Sequence, residues 1–144
     1  MGLLTDVVVA LPDEAAAICA EKGAHAAKWP CFESKGLDNS ALAALLTALG
    51  HADAAAALEG GEGVVFQESP EGSWVFHLPD VLRDSLSTLP LDGTPAVAER
   101  WVKQEELALS GVQAEDVLPV IDQLRALAAR AKVAEKPLLL WMSL

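Results

Sequence analysis

The side chains with the means to do chemistry are few: Cys31, the three histidines His25, His51 and His77, and two carboxylates that interrupt apolar patterns, Asp6 and Glu105. A thiol becomes a nucleophile when a neighbouring imidazole draws off its proton, so Cys31 with His25 is the nucleophile–base pair the sequence offers. Closeness in sequence does not supply the geometry that such a pair needs. Asp6 lies in an otherwise buried-looking stretch, and Glu105 lies one helical turn after Trp101. A carboxylate held in apolar surroundings binds its proton more tightly unless paired, and groups of that kind cluster at active sites. The plainer reading puts each at the rim of its element, bonded to a backbone donor or water. No GxSxG or comparable nucleophile motif accompanies them. The histidines have no HxxxH spacing, and Cys19 and Cys31 fit neither a zinc pattern nor a disulfide framework, so no metal and no cofactor is expected. Gly60, Gly61 and Gly63 lack the Lys and Ser/Thr of a phosphate-cradling loop and read as a flexible connection.

The tryptophans are the second group that could serve a ligand. Trp29, Trp74, Trp101 and Trp141 fall on four different expected elements, while tyrosine is absent. Their plain role is to anchor a core; the functional alternative is that one or two line a pocket or an interface. Trp29 sits with Pro30, Cys31 and Phe32 in the least regular part of the chain, residues 24–36, either as a plug over the core or as the wall of a cleft. His77 stands at the end of an expected strand. The candidate binding set is therefore Trp29, Cys31, His77, Trp101 and Glu105, with no catalytic residue assigned.

These side chains depend on a fold organised around the last eight residues, PLLLWMSL. Leu138 to Met142 is apolar on both alternating faces, which marks a strand covered on both sides in the middle of a sheet. Leu3 to Ala10 has the same character. Pro12 opens a short helix through Glu21 with Gly23 as its expected C-terminal cap. Asp38, Asn39 and Ser40 are good N-caps for a helix with Leu42, Leu45, Leu46 and Leu49 on one stripe. A short Ala-rich helix over His51 to Leu58 follows. Val64–Glu68 and Ser73–Leu78 read as a β-hairpin with Trp74, Phe76 and Leu78 on the core face. Pro79 opens another helix. Thr94-Pro95 opens one that carries Ala98, Trp101, Val102, Glu105 and Leu109 as far as Gly111. The strongest amphipathic pattern runs from Ala114 to Ala131.

A chain of 144 residues, 52% hydrophobic, is enough for one domain over residues 1–144. The expected fold class is α+β: a mixed sheet of about four strands packed with roughly five or six helices. A net charge of −11 argues against nucleic acid and against an anionic membrane surface, both of which demand clustered Lys and Arg. It permits a basic protein partner or a cationic ligand. Because the charge is spread along the chain, solubility is the simpler explanation. The N-terminus lacks the basic region of a signal peptide and no stretch reaches the length of a membrane span, so a cytoplasmic location is expected.

The start MGLLTDVVVA, the segment KGLDNSALAALLTAL, the pair GSWVFHLP and the terminal KPLLLWMSL after a long helix resemble a class of small uncharacterised bacterial proteins. In layout the chain is distantly similar to the YfbM-like family of unknown function. That family also begins with Met-Gly and a strand, has a Leu-Asp-led helix ending near Leu-Leu-Thr, and closes on an apolar strand. The resemblance covers most of the chain and implies the fold and a bacterial cytoplasmic origin; it brings no catalytic residue. The leading expectation for function is a non-enzymatic binding protein, antitoxin-like or immunity-like, that masks a basic partner. The alternative is a small-molecule-binding protein or small hydrolase-type enzyme with its site near Cys31, His77, Trp101 and Glu105.

Overall fold

The computed structural model describes residues 3–21, 25–70 and 72–143, apart from the side chains at 105 and 106. Five strands form one sheet: β1 (Leu4–Val9), β2 (Cys31–Lys35), β3 (Val64–Ser69), β4 (Gly72–His77) and β5 (Leu138–Ser143), in the order β2-β1-β5-β4-β3. β5 is the middle strand. It pairs with β1 through Val7↔Leu140 and with β4 through Phe76↔Leu140. All five residues from Leu138 to Met142 are buried, as an apolar run on both faces demands.

The α+β class holds, with two differences in the sheet. Every pairing is antiparallel, so the sheet is not mixed. The extra strand is β2, formed from the end of the stretch expected to be irregular. Its sequence, CFESK, has weak strand character; pairing with β1, from Leu4↔Lys35 to Val8↔Cys31, imposes the extended form.

The helices are α1 (Ala15–Glu21), α2 (Asn39–Ala48), α3 (Ala52–Glu59), α4 (Asp80–Thr88), α5 (Thr94–Val102), α6 (Glu105–Ala108) and α7 (Ala114–Ala134). Asp38 caps α2 by accepting the Ala41 N–H at 2.8 Å. The expected long helix after Thr94 is broken: α5 stops at Val102, and the Gln104 N–H bonds back to the Trp101 carbonyl in a tight final turn. Leu109, expected on the buried stripe, is 84% exposed as a result. Thr94 lies inside α5, its hydroxyl donating to Leu91 O, and Gly93 takes the cap position. The expected cap of α1, Gly23, falls outside the described residues.

The two faces of the sheet are unequal. Val7, Val9, Phe76, Leu138 and Leu140 face the large core, which buries Leu42, Leu45 and Leu46 of α2, Leu82 and Leu86 of α4, Trp101 of α5, and Ile121 and Leu124 of α7. On the other face Val8, Ala10, Val75, Leu139 and Trp141 pack with Ala15, Ile18 and Cys19 of the short α1. The polar residues that the sequence places in buried surroundings meet on this second face.

Candidate functional site

Asp6 and Trp141 are cross-strand partners on β1 and β5. Asp6 is 4% exposed. A carboxylate at that depth demands a partner, and His25 supplies it: Nδ1 lies 2.5 Å from Asp6 Oδ2. The other ring nitrogen, Nε2, donates to Ile18 O at 2.6 Å, since a carbonyl can only accept. The imidazole is fully buried and meets the Trp141 ring edge-on, with centroids 4.7 Å apart. Burial alone would lower the His25 pKa. The hydrogen bonds to Asp6 and Ile18 O, with the charges of Asp6 and Glu21, outweigh it and leave the pKa raised, which favours the imidazolium.

Two further groups complete the cluster. Cys31 is the nearer of them: burial first, then the charges of Asp6 and Glu33, pushes the pKa of its thiol up to about 12. Trp29 closes the outside: its Nε1–H donates to Glu14 Oε2 at 3.0 Å, while Glu14 Oε1 accepts the Leu11 N–H at 2.9 Å. The Trp29 bond, then the Leu11 bond, holds the Glu14 pKa below its ordinary value.

This geometry answers the open question of a Cys31–His25 pair. Both nitrogens of His25 are engaged, one by Asp6 and one by a backbone carbonyl, so neither is left to draw a proton from a thiol. Cys31 remains a thiol at neutral pH. The cluster binds the chain to itself: it ties β1, β2 and α1 together beneath Trp29.

Of the five candidate residues, the four whose side chains are described do not converge. Cys31, Val8, Leu139 and His77 form one cross-strand row. Three strand spacings separate Cys31 from His77, about 14 Å. The buried side chains of Val8 and Leu139 fill the interval. His77 Nε2 lies 3.4 Å from Asp80 Oδ1 at the start of α4. Trp101 is in the large core beyond the other face, donating Nε1–H to Ala41 O at 3.1 Å. The Glu105 side chain lies outside the described residues. Among the four described side chains of the set, only Trp29 and Cys31 are neighbours. The Asp6–His25 partnership was missed, although a carboxylate in an apolar strand and a histidine after an apolar helix each call for a buried partner.

Trp101 does border a groove of about 410 Å³. Leu37, Ala41, Leu107, Val112, Val117 and Val120 supply its apolar walls, with Ser34, Lys35, Asp38 and Ser110 as polar groups.

The distribution of charge is more distinctive. Three arginines direct their N–H groups to backbone carbonyls at or just beyond helix C-termini, where carbonyls lack partners and the helix dipole is negative. Arg100 of α5 donates to Ala48 O at 2.7 Å, Arg125 of α7 donates twice to Leu89 O at 3.0 and 2.8 Å, and Arg83 of α4 donates to Lys136 O at 3.0 Å. Arg83 and Lys132 also share Asp84, at 3.0 and 3.1 Å, and Lys28 pairs with Glu21. Much of the scarce positive charge is thus committed within the fold. Between Lys35 and Arg83 the sequence holds no Lys or Arg at all. Within that interval Asp53, Glu59 and Glu62 are exposed along α3 and the turn after it, with no ion-pair partner among the described residues. The cation-free interval was legible in the sequence and outranks the even spread of carboxylates.

Comparison of the chain with protein-family models, with curated proteins and with solved structures finds no match to any of them. Among the described residues no helix is long and apolar enough to cross a membrane.

Proposed function

We propose that this chain is a non-enzymatic binding protein that engages a basic protein partner, in the manner of an antitoxin-like or immunity-like masking protein of the bacterial cytoplasm. The observation that carries the reading is the commitment of Arg83, Arg100 and Arg125 to helix ends while Asp53, Glu59 and Glu62 stand exposed with no ion-pair partner among the described residues. Uncompensated charge of one sign steers a partner of the other sign and fixes its register. The state of the buried cluster supports the same reading, because a cysteine kept as a thiol beside a fully engaged histidine has no nucleophile to offer. The test is capture from lysate at low and high salt, followed by reconstitution from purified components. One stoichiometric basic partner, released by salt, supports the reading; the absence of any such complex overturns it.

A second reading, a small-molecule-binding protein, is favoured by the groove beside Trp101. A concave apolar site with a few polar groups is the usual form of a ligand pocket. Native mass spectrometry separates the two, since a co-purifying small ligand displaced by Val117→Trp would favour the groove.

A further inference from the structure

We propose that the groove beside Trp101 is a binding site for a small cationic amphiphile, a primary amine carried on an apolar body, with Asp38 as its counter-charge. This rests on the second reading above, that the groove takes a small molecule, and names the class of that molecule. Its volume of about 410 Å³ lies in the range of roughly 300–1,000 Å³ found for small-molecule sites. Leu37, Leu107, Val112, Val117 and Val120 line it with carbon, the surface that takes an apolar body out of water.

The polar groups at the rim decide the head group. Donors bordering the groove are already spent inside the protein. The Trp101 Nε1–H goes to Ala41 O at 3.1 Å, the Gly36 N–H to Leu3 O at 3.0 Å, the Leu37 N–H to Thr5 Oγ1 at 3.2 Å, and the Ser110 hydroxyl to Leu107 O at 2.8 Å. What remains is acceptor capacity, and Asp38 supplies most of it. Its Oδ1 accepts the Ala41 N–H at 2.8 Å as the cap of α2, and an ionised carboxylate has further lone pairs to offer. Asp38 is half-buried and has no ion-pair partner among the described residues. An ammonium brings three N–H donors and the opposite charge, which makes its bonds to a carboxylate stronger than neutral ones.

Lys35 does not reverse that choice. Ser34 pairs with Thr5 and Lys35 with Leu4, so their side chains leave opposite faces of the sheet. Ser34 follows Thr5, Val7 and Phe32 on the side of the large core that holds Trp101, and the Lys35 side chain is directed to the other side. An anionic ligand would therefore meet Asp38 without a cation to offset it. The net charge of −11 acts in the same direction, concentrating cations around the chain.

The experiment uses the full chain and three probes that share one phenylethyl body: phenethylamine, phenethyl alcohol and hydrocinnamate, respectively cationic, neutral and anionic at neutral pH. Amide chemical-shift titration gives both affinity and location. Phenethylamine is expected to bind at least about tenfold more tightly than the alcohol, and hydrocinnamate least tightly, with shifts centred on Ala41, Val112 and Val120. In Asp38→Asn the side chain still caps α2, so the fold is kept while the charge is removed. The amine is expected to fall to the affinity of the alcohol in this variant, and the alcohol to keep its own. Val120→Trp, which fills the groove, is expected to weaken both. Equal affinity of amine and alcohol, tighter binding of hydrocinnamate, or an amine affinity unchanged by Asp38→Asn overturns the cationic class; shifts that stay at the groove then leave the small-molecule reading standing. Shifts centred on the exposed carboxylates of α3, or no saturable binding of any probe, overturn both.

Discussion

Replacing His25 by alanine removes the partner that makes Asp6 tolerable in the sheet. In the parent, Asp6 is 4% exposed and His25 bonds it at 2.5 Å. The variant leaves the Asp6 carboxylate without the ring that bonds it, leaves Ile18 O without its bond, and opens a hole against Trp141. Breaking one side of a buried ion pair costs about 3–5 kcal/mol, because the surviving charge stays buried. That is a large share of the roughly 5–15 kcal/mol that holds a domain folded. Urea denaturation near about pH 6 measures it. The dependence on pH carries a sign. The folded-state pKa of His25 is raised above 6.5, so its contribution is complete below about that value and is lost as pH rises through the folded pKa. The stability gap between parent and His25→Ala should narrow as pH increases above neutrality. Adding Asp6→Ala should recover part of the loss, since the orphaned charge is then gone. A single-variant cost below about 1 kcal/mol, or a gap that widens with pH, would refute the paired, buried assignment.

Other sites give independent checks. Gly63 has φ +96°, and a Cβ there would lie 2.8 Å from the His77 carbonyl oxygen, so Gly63→Ala should cost at least about 1–2 kcal/mol in a denaturant titration. Arg125→Met should cost about 1.5–3 kcal/mol by stripping two charge-assisted bonds from Leu89 O; the thermal midpoint should fall clearly, unlike that of an exposed-site control such as Arg130→Met. Cys31, with its pKa pushed up from 9.0 to about 12, should hold about a thousandfold less thiolate at neutral pH than an ordinary thiol, so its alkylation in the native protein should be slow and should accelerate on unfolding.

The elements legible in the sequence were those written by one periodic signal. The run from Leu138 to Met142 announced a central strand because no face of it was polar, and the stripe from Val117 to Ala131 announced α7 in the same way. β2 was illegible because its strand form comes from β1 and not from its own residues. The break at Lys103 and Gln104 has no glycine or proline to mark it; a tight turn closing on Trp101 O ends α5 there. For the site, Asp6 and His25 were each noticed, but a partnership between residues nineteen positions apart is a property of the sheet and the loop above it. Cys31 and His77 share a face and a row, yet sequence gives no measure of the three strand spacings that part them.

The measurement that bears most directly on the central claim is quantitative capture with three baits: the parent chain, an α3-side variant with Asp53→Lys, Glu59→Lys and Glu62→Lys, and a control with Asp92→Lys, Glu99→Lys and Glu115→Lys. All six carboxylates are exposed, and both variants change the net charge equally. The account predicts that the parent and the control retain the same stoichiometric basic partner at low salt and that the α3-side variant loses it. Retention by the α3-side variant, or equal loss from both, would contradict the account.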